Sequence, residues 1–190
     1  LGDWITIFLC VLGLMCNYVL FVTGLRFISP GTAQVVVQLA HGFVVLGALT
    51  LFGERFSRRQ WTGIGILVAG LALFFHNRLP ELWHNINNAS LGVLIIVVAA
   101  FVWAIYALAQ KHLMRIFSSQ QILLFVYVGS VLFLLPATRP VILADLTPLT
   151  WALLVFACIN TMVAYGCYSE SCAHIEASRI SALLVVIPLV

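Results

Sequence analysis

Long uncharged apolar stretches constrain the fold of this chain more than any other feature, and the first of them is the clearest. No charged residue occurs between Asp3 and Arg26. A helix needs about 20 apolar residues to cross a hydrocarbon core of about 30 Å, so this stretch predicts a membrane span at about 4–24. Similar stretches predict further spans at about 32–53, 60–75, 91–110, 120–136 and 150–170, and a last apolar helix that begins near Ser178.

The composition agrees with this interpretation. The 190 residues are 63% hydrophobic and only 8% charged, whereas soluble domains carry about 25% charged residues. A water-soluble domain of this size could not bury so much apolar surface. We therefore predict an all-α polytopic membrane protein, a bundle of transmembrane helices with the lipid bilayer as a partner. The net charge of +3 does not require a nucleic-acid partner.

Basic residues are distributed unequally over alternate loops. One set of loops holds three of them, Arg26, Arg78 and Arg139, and the other holds six, Arg55, Arg58, Arg59, Lys111, Arg115 and Arg179. Cytoplasmic loops carry an excess of Lys and Arg, so the second set is predicted to lie in the cytoplasm.

The second span carries a stripe of polar side chains. Gln34, Gln38 and His41 are spaced i, i+4 and i+7 and therefore share one face of a helix. The stripe either lines a wet central cavity that binds a small-molecule substrate, or it forms hydrogen bonds between helices. Other spans hold further candidates for a substrate cavity, namely Asn17, Tyr18, Trp103, Tyr106, Asn160 and Tyr165.

Two residues are candidates for proton coupling. An imidazole changes charge near neutral pH, which makes His41 one candidate, although burial would favour its neutral form. Glu170 lies near the cytoplasmic end of the sixth span, where an acid often relays protons. Alternatively, Glu170 is an interfacial carboxylate in water or pairs with Arg179. The sequence contains no metal-binding or nucleotide-binding motif, so we assign no metal, no cofactor and no catalytic residue.

Two distant stretches of the sequence share the same order of predicted structural features. A shift of 147 residues pairs Tyr18 with Tyr165, Ile28 with Ile175 and His41 with Pro188. In both stretches a span ends, a short turn follows, and a new span begins. Five predicted crossings separate the copies, so they are inverted relative to each other, as in many secondary transporters. Chance similarity between apolar segments is the alternative.

Several motifs resemble the EamA-type domain of the drug/metabolite transporter superfamily. They are the turn Gly53-Glu54-Arg55, the following Gln60-Trp61-Thr62-Gly63, the Trp103, Ala104 and Tyr106 pattern, and the stretch ASRISALLVVIPLV from Ala177. The family has proline where His41 stands, so this chain lacks the usual reason for a kink in the 32–53 helix.

The resemblance implies two inverted five-helix repeats that are incomplete at both ends here. Residues 1–77 would hold helices 3–5 of the first repeat, 78–90 the loop between repeats, and 91–190 helices 6–9 of the second. It also implies a multi-pass secondary transporter of the bacterial inner membrane, and not an enzyme, that exports small metabolites or drugs by alternating access. A homodimer is left open. The rival interpretations are a truncated, non-functional remnant and a membrane-embedded enzyme, which would need clustered acids or histidines.

Overall fold

A computed structural model describes residues 2–53, 58–76, 88–138, 145–176, 179, 180 and 184. Within these ranges the regular structure is helical. The helices are α1 (Gly2–Gly24), α2 (Pro30–Val36), α3 (Leu39–Leu51), α4 (Arg58–Phe75), α5 (Asn88–Leu113), α6 (Ser119–Leu134), a 3₁₀ turn (Leu135–Ala137) and α7 (Pro148–His174). The predictions for Glu54, Arg55, Arg78, Arg139, Ser178 and Pro188 fall outside the described residues.

Five of the described helical segments are long and apolar enough to cross a membrane. They are Gly2–Gly24, Pro30–Leu51, Asn88–Leu113, Ser119–Ala137 and Pro148–His174. The predicted third span forms α4, which has a shorter apolar part at Trp61–Gly70. The prediction of an all-α polytopic membrane protein is therefore confirmed.

Three helices begin sharply because a hydroxyl side chain caps them. The side chains of Ser29, Ser118 and Thr147 each accept a hydrogen bond from the backbone N–H three residues later, at 3.2–3.3 Å. Proline follows two of these caps, as Pro30 and Pro148, at helix positions where its missing N–H costs nothing. These caps fix the starts of α2, α6 and α7.

Helix α5 is the centre of the bundle and packs most extensively on α1 and then on α3. Glycines allow the close approach of α1 and α5. A Cβ at Gly13 would lie 3.1 Å from the backbone nitrogen of Tyr106, and a Cβ at Gly92 would lie 2.7 Å from Cβ of Phe27. Small residues at helix contacts serve this purpose in lipid, where close packing replaces the hydrophobic effect between helices.

The glycines of the predicted third span do not make such contacts. A Cβ built at Gly63, Gly65 or Gly70 would meet no described atom within 4 Å. The close glycine contacts lie on α1, α3, α5 and α6 instead.

Three helix ends meet on one side of the bundle. The guanidinium carbon of Arg115, which follows α5, lies 5.8 Å from the ring centre of Phe52 at the end of α3. Near Arg115, Lys111 Nζ donates hydrogen bonds to the carbonyls of Cys172 and Ile175 at the end of α7. The basic residues that follow α5 therefore share a face with the ends of α3 and α7, as the predicted cytoplasmic set requires.

Candidate functional site

The second span is interrupted at Val37 and Gln38, which separate α2 from α3. The N–H of Gln38 bonds to the carbonyl of Val35 at 3.3 Å, and the N–H of His41 bonds to the carbonyl of Gln38 at 3.1 Å. In a regular α-helix each N–H bonds to the carbonyl four residues earlier, whereas these two hydrogen bonds reach back only three residues. Val37 and Gln38 keep helical dihedrals, with φ of −63° and −60° and ψ of −18° and −20°, so the span tightens into a 3₁₀-like turn here without a proline or glycine.

The side chain of Gln38 compensates for the break. Its Nε2 donates to the carbonyl of Gln34 at 3.3 Å, an oxygen that the backbone N–H of residue 38 would bond in a regular helix. Backbone groups left without partners in a membrane are costly, so breaks occur where other groups satisfy them or where they line a cavity. Gln38 satisfies a freed backbone carbonyl and also lines the cavity beside this turn.

This cavity has a volume of about 340 Å³. It lies between α1, the interrupted α2–α3 span, α5 and α7, and small-molecule sites are commonly about this size or larger. Its described lining residues are Asn17, Tyr18, Phe21, Gln34, Val37, Gln38, Ala40, His41, Trp103, Ala164, Tyr165, Tyr168 and Leu184.

One side of the cavity is polar. Gln34, Gln38 and His41 all line it, and Asn17 joins them from α1. Asn17 Nδ2 also donates to the carbonyl of Ala99 at 2.9 Å, so this amide fastens α1 to α5. By contrast, Gln38 Oε1 and His41 Nδ1 have no hydrogen-bond partner among the described residues. Within the part of the chain that the structure describes, hydrogen bonds between helices therefore do not account for these two atoms.

The other side of the cavity is aromatic. The rings of Tyr18 and Tyr165 have centres 6.1 Å apart and are tilted by 45°, while those of Trp103 and Tyr168 are 5.5 Å apart and tilted by 43°. The His41 ring meets Trp103 edge to face, with centres 5.7 Å apart. This contact joins the polar side to the aromatic side.

Seven of the nine sequence candidates for the cavity line it, and two do not. Tyr106 is fully buried behind the aromatic side, where its ring contacts those of Trp103 and Tyr165. Asn160 is exposed, as are all residues 151–160 of α7, and it lies one turn before the lining residue Ala164. Sequence reasoning did not select Phe21 or Tyr168. Their spacing from Tyr18 and Tyr165, three residues in each case, is the signal that could have found them.

Glu170 lies outside the cavity lining, near the end of α7. One carboxylate oxygen accepts a hydrogen bond from the Ser119 hydroxyl at the start of α6, and the other lies 3.2 Å from His174 Nε2. Arg179 instead pairs with Glu176 at 2.8 Å. The alternative of a Glu170–Arg179 ion pair is therefore wrong, because each residue has a nearer partner on its own turn of chain.

Close to Glu170, Gln110 and Ser169 form a buried contact between α5 and α7. Gln110 Nε2 donates to Ser169 Oγ at 2.6 Å, and both side chains are fully buried. Ser169 Oγ donates in turn to the carbonyl of Ser119 at 3.4 Å. Together with Glu170, these groups connect the ends of α5, α6 and α7.

The 147-residue shift recurs in the cavity lining. It relates four pairs of lining residues, which are Asn17 with Ala164, Tyr18 with Tyr165, Phe21 with Tyr168, and Val37 with Leu184. Tyr18 and Tyr165 are also in ring contact with each other. The two stretches that resemble each other in sequence thus meet around the same space.

The family comparison agrees with this architecture. The profile of the EamA-like transporter family matches residues 1–76 and 90–190. The chain belongs to the EamA-like transporter family. No solved structure gives a significant match.

Curated EamA-like relatives are named as transporters. An uncharacterized transporter of Haemophilus influenzae is 35% identical over 94% of this chain and 58% of its own length. The uncharacterized inner membrane transporter YhbE of Escherichia coli is 34% identical over 93% of the chain and 55% of its own length. A probable amino-acid metabolite efflux pump of Escherichia coli is 26% identical over 84% of the chain and 56% of its own length. The chain therefore spans little more than half of these relatives.

Proposed function

We propose that this chain acts in a bacterial inner-membrane secondary transporter that exports small organic molecules. The observation that carries the proposal is the cavity of about 340 Å³ beside an interrupted membrane span. In secondary transporters, substrate sites lie near the bilayer midplane, where repeats meet. The relatives named as inner membrane transporter and as efflux pump support the location and the direction of transport.

The repeat-related lining pairs support alternating access as the mechanism. If the two copies are inverted, the cavity lies between two halves that can exchange conformations, and each exchange opens the same space to the other side. Asn17, Gln34, Gln38, His41, Trp103 and Tyr165 would then contact the substrate directly. Tyr106 would support them by fixing the rings of Trp103 and Tyr165.

Proton coupling has two candidate groups in different places. His41 lines the cavity, where its protonation would compete directly with a substrate. Glu170 lies between Ser119 and His174, where its protonation would weaken the contact between α6 and α7. We propose that one of them carries the coupled proton, and the two positions predict different phenotypes.

Proteoliposomes with an imposed pH gradient test the proposal. A panel of amino acids, amines and drugs is screened for gradient-driven movement by the purified chain, with protein-free liposomes as the blank. His41→Gln is expected to lower apparent substrate affinity together with coupling, and Glu170→Gln to abolish gradient dependence while leaving affinity unchanged. If both variants respond to the gradient as the native chain does, the coupling assignment is wrong. If Gln38→Leu and Tyr165→Leu leave every transported compound unaffected, the cavity is not the route.

A further inference from the structure

We infer that the cavity takes small organic cations, compounds with one ammonium group on an apolar body, through the faces of its aromatic side chains. This inference rests on the proposed function, because it treats the cavity as the substrate site. Three observations carry it, namely the kind of rings present, their mutual angles and the charge of the lining.

The cavity lining contains several electron-rich rings. Five of its described lining residues are aromatic and come from three helices: Tyr18 and Phe21 from α1, Trp103 from α5, and Tyr165 and Tyr168 from α7. The face of an aromatic ring carries partial negative charge and attracts a cation within about 6 Å, with tryptophan the strongest. Four of these five rings belong to tyrosine or tryptophan.

The ring planes are inclined to each other. Tyr18 and Tyr165 are tilted by 45°, and Trp103 and Tyr168 by 43°. A flat aromatic ligand would be held best between parallel rings, which neither pair provides. Inclined rings converge on a compact group from several directions, which is how aromatic cages recognise substituted ammonium groups.

The charge of the lining fits a cation better than an anion. No Asp, Glu, Lys or Arg is among the described lining residues, and residues 181–190, which surround Leu184 in sequence, contain none either. A carboxylate or phosphate would therefore lose its hydration without gaining a cationic partner. An ammonium group would gain ring faces together with the side-chain oxygens of Asn17, Gln34 and Gln38, which accept hydrogen bonds.

The volume indicates the size of ligand that fits. A space of about 340 Å³ lies at the small end of small-molecule sites, which span about 300–1,000 Å³, and this favours a benzyl or short alkyl ammonium compound. Benzyltrimethylammonium is therefore a suitable probe.

The test compares three ligands of similar shape. Binding of benzyltrimethylammonium, its neutral carbon isostere neopentylbenzene and the anion phenylacetate is measured by equilibrium dialysis against the chain in nanodiscs, with empty nanodiscs as the blank. We expect the cation to bind at least tenfold more tightly than the isostere and phenylacetate to bind more weakly than both. Equal binding of the cation and the isostere would overturn the inference, and so would preference for the anion.

Substitutions separate the ring face from simple bulk. Tyr18 is 38% exposed, so its replacement disturbs packing little. Tyr18→Phe keeps the ring and is expected to change cation affinity less than twofold, whereas Tyr18→Leu is expected to reduce it at least fivefold. Trp151→Leu, an exposed aromatic substitution at the start of α7 and outside the lining, is the matched control and should leave affinity unchanged. Equal losses from the two Tyr18 variants would contradict a role for the ring face.

Fluorinated tryptophan at Trp103 provides a readout that does not depend on refolding a variant. Added fluorine atoms weaken the negative ring face with little change in size, so affinity for the cation should fall stepwise with each one. An affinity for the cation that did not change as fluorine atoms were added would overturn the inference. Failure of the cations alone, while cavity variants still alter transport of other compounds, would leave the proposed function standing. If cations bound but no cavity variant altered transport, the cation site would stand and the proposed role of the cavity in transport would be wrong.

Discussion

At the scale of single residues, Ser169 offers the clearest test of the contact between α5 and α7. Its hydroxyl is the acceptor for buried Gln110 Nε2, and Gln110 Oε1 has no partner among the described residues. Ser169→Ala would therefore leave the whole amide without a described partner. A buried polar group that loses its partner costs about 1–3 kcal/mol, so the free energy of unfolding in a denaturant titration of the micelle-solubilised chain should fall by about that amount.

Ser171→Ala is the matched control for this prediction. Ser171 lies on the same helix, and its hydroxyl donates at 2.8 Å to the carbonyl of Cys167, within that helix. Since no contact between helices is lost, the change should lie within about 0.5 kcal/mol of zero. Equal effects of the two substitutions would show that the Gln110–Ser169 contact does not stabilise the bundle.

At the scale of helices, Gly92 determines how closely α5 approaches the end of α1. A Cβ at this position would lie 2.7 Å from Cβ of Phe27 and 2.8 Å from Cγ2 of Ile28, and neither atom is the far end of a flexible side chain. Gly92→Ala should therefore force the segments apart and destabilise the chain by about 1–3 kcal/mol, as overpacking does. The same denaturant titration measures this change.

Gly42→Ala is the corresponding control, because a Cβ at Gly42 in α3 would meet no described atom within 4 Å. Alanine is a better helix former than glycine by about 1 kcal/mol. The control should consequently be neutral or stabilising. If Gly92→Ala were also stabilising, the close approach of α1 and α5 would be refuted.

The positions of the helices could be predicted from the sequence because charges and prolines bound each apolar stretch. The predicted span 4–24 became Gly2–Gly24, and 91–110 became Asn88–Leu113. The interruption at Val37 and Gln38 could not be predicted, because neither residue breaks helices by itself and the Gln38 side chain satisfies the freed carbonyl only in the folded chain.

The cavity was only partly predictable for a related reason. Polar spacing predicted that Gln34, Gln38 and His41 share a face, and the structure places all three on one cavity. The extent of the cavity along α7 depends on how this helix packs, and an apolar stretch contains no sign of that extent. Asn160 lies one turn before the lining residue Ala164 and about two turns before Tyr168, so it falls outside the cavity along the helix axis and not on another face.

At the scale of the whole molecule, the Tyr18–Tyr165 contact is special because the 147-residue shift relates its two members. If the two stretches are inverted repeats, a contact between equivalent residues lies on the axis that relates them. If inverted repeats exchange conformations during transport, each tyrosine takes the role of the other, so their contact is present in both states. The Phe52–Arg115 contact is different, since the shift carries both residues outside the chain and does not relate them to each other. It joins α3 to the end of α5 on one side only, so alternating access should open it.

Cross-linking distinguishes these two contacts. In a variant without the five native cysteines, paired cysteines at positions 18 and 165, or at 52 and 115, are joined by a short reversible bifunctional thiol reagent. Transport in proteoliposomes is then compared with that of the same variant after reduction. Joining Phe52→Cys to Arg115→Cys should reduce transport more than tenfold, because it holds one state closed. Joining Tyr18→Cys to Tyr165→Cys should retain at least half of the reduced rate, because the contact is common to both states. If the axial cross-link blocked transport as completely as the peripheral one, the two stretches would not exchange conformations about an axis through this tyrosine pair.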